Sequence, residues 1–177
     1  KQDAEAALKE KEASIPVMKD KIAAVGILSE HPGLDSRVGT NVAARRLFGA
    51  KDRYSGAGQD FAGGIHKLVG GMTLQSLIDA KSRGASFGAL SDGELQILAN
   101  SATALNDWEI KDETTGKPTG VWDIDEASFK RELATIKSLT ERAILLSGGS
   151  LLDSDEAEAL NSVFGPTNVN SSAASYY

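Results

Sequence analysis

A chain of 177 residues with 41% hydrophobic and 25% charged side chains is long enough for one domain with its own core. Its 19 Lys and Arg against 25 Asp and Glu leave a net charge of −6, which argues against a surface that tracks phosphate backbones throughout. The absence of Cys rules out disulfides, thiolate metal sites and Cys nucleophiles, and five Phe, three Tyr and two Trp leave a core built mainly of Leu, Ile, Val and Ala.

Residues 1–30 read as a helical arm. Ala4, Leu8, Lys11, Ile15, Met18, Ile22 and Val25 alternate in steps of four and three, the spacing of a heptad seam. Lys11 interrupts the seam, and Pro16 removes a backbone hydrogen bond, so a kink or a split with Ser14 as a second cap is expected there. The seam fits either partner helices or the chain's own domain. His31-Pro32-Gly33 ends the arm, and residues 31–58 form a glycine-rich connection. Within it, residues 42–48 allow a short helix. Arg45 and Arg46, with Lys51 and Arg53, make a basic cluster best read as a solvated face.

Residues 59–164 read as a helical domain. A first helix over residues 59–69 presents Phe61, Ile65, Leu68 and Val69, with Gly63-Gly64 permitting close backbone approach. Three helices then open alike, each with a polar cap and an apolar pair around it: Thr73 between Met72 and Leu77, Ser91 between Leu90 and Leu95, Asp125 between Ile124 and Phe129. Ser91 and Glu94 form a capping box, and Gly84 terminates the helix begun at Thr73. A β-hairpin is predicted over residues 107–123, turning at Thr114-Thr115-Gly116. That turn sets Glu113 opposite Lys117 and Trp108 opposite Trp122, and Pro118 marks an edge ribbon. A long helix follows over residues 126–147, with a stripe of Phe129, Leu133, Ile136, Leu139, Ala143 and Ile144, stopped by Gly148-Gly149. A short helix over residues 153–164 and a polar tail over residues 165–177 complete the chain.

No residue pattern selects a reaction. His31 and His66 lack a second ligand at helical spacing, so no metal site is expected, and no cofactor. No Gly-x-Ser-x-Gly elbow occurs, and Ser91 is accounted for as a cap. The glycines from Gly56 to Gly63 do not form a dinucleotide fingerprint, and Gly116-Lys117 is followed by Pro118 rather than Ser or Thr. Acidic runs at 123–126 and 153–158 sit where helix N-termini favour carboxylates, without calcium-loop spacing. No apolar run approaches the ~20 residues of a membrane span. The chain begins with Lys, which is expected of a processed product or a piece of a longer protein.

Residues 73–98, Thr-Leu-Gln-Ser-Leu-Ile-Asp-Ala-Lys-Ser-Arg-Gly-Ala-Ser-Phe-Gly-Ala-Leu-Ser-Asp-Gly-Glu-Leu-Gln-Ile-Leu, resemble a segment of large tailed-bacteriophage virion proteins. There a helix ends in a glycine-rich turn and leads into a second helix, a hairpin and a third long helix. The resemblance extends through about residue 147 and covers roughly half the chain. It carries caps, staples and a turn, and no catalytic residues. It implies a structural virion component, tail-associated or ejected with the genome, made in the bacterial cytoplasm and then carried in the particle. Partners would be other virion proteins and further copies of the chain, with only passive contact to genomic DNA across an acidic surface. On this expectation Leu8, Ile15, Met18, Ile22 and Val25 of the arm and Arg45, Arg46 and Phe48 of the connection make intersubunit contacts. A cell-wall-degrading hydrolase module and a host-surface adhesion module are the alternatives. The fold expected is mostly α, four to six helices with one hairpin and an N-terminal helical arm.

Overall fold

The computed structural model describes residues 2–41, 56–72, 77–78, 81–82 and 90–151, and within the first helix the side chains of residues 9 and 13 onward. Helix α1 (Gln2–Ser29) is followed by α2 (Gly56–Val69), α3 (Asp92–Asp107), strands β1 (Glu109–Lys111) and β2 (Pro118–Trp122), and α4 (Glu126–Leu146). The fold is mostly α with one two-stranded antiparallel hairpin, as expected.

Helix α1 is continuous through Pro16, so neither the split nor a second cap at Ser14 is realised. Pro16 is exposed and Ser14 is buried, and the helix carries on because packing on both sides outweighs one missing hydrogen bond. From Ile15 onward α1 lies along α4 and α2, with Met18, Val25 and Leu28 at 0%, 1% and 4% exposure in the core and Ile15 and Ile22 packed against it. Of the two packings that the heptad seam allowed, this stretch takes the one on its own domain. Met18 and Val25 are therefore unavailable to a second chain.

The two helices α1 and α4 run antiparallel. Glu30 and Asp35 lie near Lys130 at one end, while at the other a Cβ added to Gly149 would fall 3.1 Å from Ile15 Cδ1. Because α4 stops at Leu146, residues 2–13 of α1 continue past its last turn, a helical overhang of about 18 Å at 1.5 Å per residue.

Both described caps form where the sequence places them. Ser91 Oγ accepts from Glu94 N (3.3 Å) and Glu94 Oε2 accepts from Ser91 N (2.8 Å), while Leu90 and Leu95 are buried on either side. Asp125 accepts from Ser128 N at 2.8 Å, with Phe129 buried behind it. Gly148, at φ +76°, closes α4 as a Schellman turn: Gly149 N donates to Ile144 O and Gly148 N to Leu145 O. Thr73 and Gly84, the predicted helix over 153–164 and the tail lie outside the described residues; Leu77, which the sequence pairs with Met72 around Thr73, is buried, as is Met72.

The hairpin pairs one residue away from its predicted register. Asp112 Oδ1 accepts from Thr114 N, Thr115 N and Thr115 Oγ1 (2.8–3.1 Å), so the loop closes between Asp112 and Lys117 rather than Glu113 and Lys117. Gly116 keeps its predicted left-handed position at φ +66°. An irregularity between Glu109 and Lys111 then sets Trp122 opposite Glu109, while Asp123 N donates to Trp108 O. The tryptophans do not face one another. Trp122 is fully buried, and Trp108 is half-buried against the edge of the core. The outer edge of β2 is also covered: Trp122 N donates to Arg37 O, and Gly39 N to Trp122 O.

Candidate functional site

Trp122 organises the centre of the molecule. Its Nε1 donates to Leu105 O at 2.6 Å, and its ring meets Phe61 and Phe129 edge-on at 5.7 and 5.5 Å. One cluster thus takes three of the chain's few aromatics. The solvent-side neighbour of this cluster is His66 on α2, 6.0 Å from Trp122.

Glu109 reaches His66 from β1. Its carboxylate is buried and engaged at both ends: Oε2 lies 2.8 Å from His66 Nε2 and Oε1 accepts from Gly120 N at 2.6 Å. A carboxylate only accepts, so Nε2 carries the proton in this pair. The backbone at Gly120 is specialised for the contact. Its φ is +68°, and a Cβ there would fall 2.8 Å from Ala62 Cβ, so only glycine lets β2 approach α2 closely enough. Buried Arg37 packs beside Gly58 and Gly120 in the same layer.

His66 forms one wall of a cavity of about 350 Å³, bounded also by Val69, Met72, Ala102, Thr103 and Asn106. Chemically this is a half-exposed imidazole oriented by a buried carboxylate, with one hydroxyl and one amide nearby. Glu109 itself does not line the cavity. Among the described residues no carboxylate and no serine lines it, and they contain no group of three His, Cys, Asp or Glu placed to hold a metal ion.

A second concavity, of about 410 Å³, lies between α1 and α2. Gly64 lets the two helices close on each other, since a Cβ there would fall 2.7 Å from Leu28 Cδ2. Val17, Ala24 and Ile27 line its α1 wall, and Lys21 and Lys67 project from opposite walls. Burial holds the Lys21 ammonium below the usual lysine range.

Away from both concavities, ion pairs tie the helices together. Lys81 Nζ donates to Leu90 O and to Asp92 Oδ1, both at 2.8 Å, and its hydrogen bond holds Asp92 below the usual carboxylate range. The Ser91 hydroxyl and N–H, with Arg142 of α4, hold Glu94 low in the same way.

The predicted contact residues are dispersed. Met18 and Val25 lie in the core, and Ile15 and Ile22 are packed against it. The side chain of Leu8 and all of Arg45, Arg46 and Phe48 lie outside the described residues. The His66–Glu109 pair escaped the sequence, because 43 residues separate its members and only the hairpin register joins them. Residues near His66 in sequence, Asp60 and Lys67, are not its partners.

Compared with known proteins, the chain matches no family model, no curated protein and no solved structure. No described helix is long and apolar enough to cross a membrane.

Proposed function

We propose that the chain is a non-enzymatic structural component of a bacteriophage virion, tail-associated or ejected with the genome. It acts through contacts with other virion proteins and with copies of itself. The observation that carries this reading is the α1 overhang: residues 2–13 extend past the end of α4, while the same helix is anchored in the core from Ile15 onward. A helix held firmly at one end and projecting at the other is a means of joining subunits. The succession of α3, hairpin and long α4 is also the order of elements in the phage segment that residues 73–98 resemble. The net charge of −6 suits a part that lets DNA pass without holding it.

Fluorescence anisotropy with duplex DNA and a peptidoglycan zymogram test this reading together. Weak DNA affinity and no clearing are expected. Tight, salt-sensitive DNA binding would contradict the passive role, and clearing would contradict the non-enzymatic one.

One observation favours a hydrolytic module as the second reading, namely the buried carboxylate of Glu109 behind His66 at the edge of a cavity. Against it, both Glu109 oxygens are engaged and none faces the cavity. Clearing by the wild-type chain that disappears in His66→Ala would support it.

A further inference from the structure

We propose that the cavity beside His66 binds an uncharged small molecule through a secondary amide. The site goes beyond the assembly reading and rests on no part of it, since its walls are α2 and α3 rather than the α1 overhang and it calls for no catalysis.

One side chain of the cavity is held in place from behind. Glu109 Oε1 accepts from Gly120 N and its Oε2 lies against His66 Nε2, so the imidazole is oriented by a carboxylate that is itself buried. Nε2 carries the proton in that pair, and in the neutral ring Nδ1 keeps its lone pair and is an acceptor. Nε2 is engaged by a residue outside the cavity, so the nitrogen left for the cavity is Nδ1. It has no hydrogen-bond partner among the described residues.

The facing wall supplies the opposite chemistry. Thr103 and Asn106 are exposed and stand three residues apart on one face of α3. Their hydroxyl and carboxamide are donors, and neither side chain has a hydrogen-bond partner among the described residues. Between the walls, buried Met72 and Ala102 form an apolar floor with Val69. Besides His66, no ionisable side chain stands among the described lining residues, so an ion would enter without a counter-charge.

A trans amide matches this arrangement. Its N–H and C=O point in opposite directions, so one group donates to Nδ1 on α2 while it accepts from Thr103 or Asn106 on α3. The apolar groups that flank it then lie on the floor. A carboxylate has nothing to donate to Nδ1, and a hydroxyl, which both donates and accepts, draws no advantage from walls of opposite character. At about 350 Å³ the cavity is near the small end of ligand sites, which suits one acetamido sugar or one blocked amino acid rather than a long chain.

Amide NMR titrations of the full chain test the proposal with three probes: methyl N-acetylglucosaminide, N-acetylalanine methylamide and, without an amide, methyl glucoside. At least one amide probe should saturate, with shifts centred on His66, Met72, Ala102, Thr103 and Asn106, and bind about tenfold more tightly than methyl glucoside. The tighter of the two amide probes identifies the source of the ligand. Glu109→Gln then isolates the positioning role of Glu109. Gly120 N–H holds the new side-chain oxygen, so its NH2 faces Nε2 and moves the ring proton to Nδ1. Ring-nitrogen shifts at about pH 8.5 should place the proton on Nε2 in the parent and on Nδ1 in the variant, with amide affinity about tenfold lower. Thr103→Val with Asn106→Ala, both at exposed positions, should weaken binding about tenfold and leave the fold intact. Failure of both amide probes to saturate, equal affinity for methyl glucoside, or a parent ring protonated at Nδ1 would overturn the proposal. So would a ring proton that moves in Glu109→Gln without a loss of affinity, or an unchanged affinity in the Thr103 and Asn106 variant.

Discussion

At the scale of single residues, Glu109 holds the junction between α2 and the hairpin. Glu109→Ala leaves the Gly120 N–H buried without an acceptor and removes the anchor of His66, at a cost of about 3 kcal/mol. Glu109→Gln retains an acceptor and should cost less, and His66→Ala least, since His66 is half-exposed. Urea denaturation of the three variants ranks them, and an Ala variant as stable as the parent would refute the role. The caps make a separate prediction. The hydroxyl and N–H of Ser128 hold Asp125 below the usual carboxylate range. Its folded pKa lies below its unfolded value, so its contribution to stability is complete above about pH 5 and is lost as the pH falls through the folded pKa. Asp125→Asn keeps a capping oxygen that does not titrate, so the fall in Tm between about pH 5 and pH 3 should be shallower in that variant. An unchanged slope would assign the acid sensitivity elsewhere. Ser91→Ala removes the capping hydroxyl of α3 and should cost about 1 kcal/mol in the same urea assay.

At the scale of elements, α1 carries the clearest prediction. Pro16 lies exposed in the middle of a 28-residue helix, where proline is unfavourable by about 3 kcal/mol against alanine. Pro16→Ala should therefore raise Tm, and a lower Tm would mean that the proline fixes a bend the packing needs. Elements with local signals were legible in the sequence. Ser91 with Glu94, Asp125 with Phe129, and Gly148 each announce a helix end through residues at most four apart. Elements set by distant contacts were not. The heptad of α1 is equally compatible with a partner and with α4, and only the assembled core shows Met18 and Val25 inside it. In the hairpin, Asp112 captures the turn N–H groups and shifts the pairing there by one residue, and the irregularity between Glu109 and Lys111 then sets Trp122 opposite Glu109 instead of Trp108. Of the candidate site, His66 was visible only as a lone histidine, because Glu109 and Gly120 reach it through tertiary contacts.

For the whole molecule, the scarcity of aromatics has a counterpart in the structure, since Phe61, Trp122 and Phe129 meet in one cluster that joins α2, β2 and α4. Around that centre the chain leaves two features without an internal purpose in the described core: the groove between α1 and α2, and the projecting start of α1. The second carries the assembly reading. Light scattering across a range of concentrations, on the full chain and on a chain starting at residue 13, tests it most directly. The account predicts a defined oligomer for the full chain and a folded monomer once the overhang is removed. A full chain that stays monomeric at every concentration would contradict it.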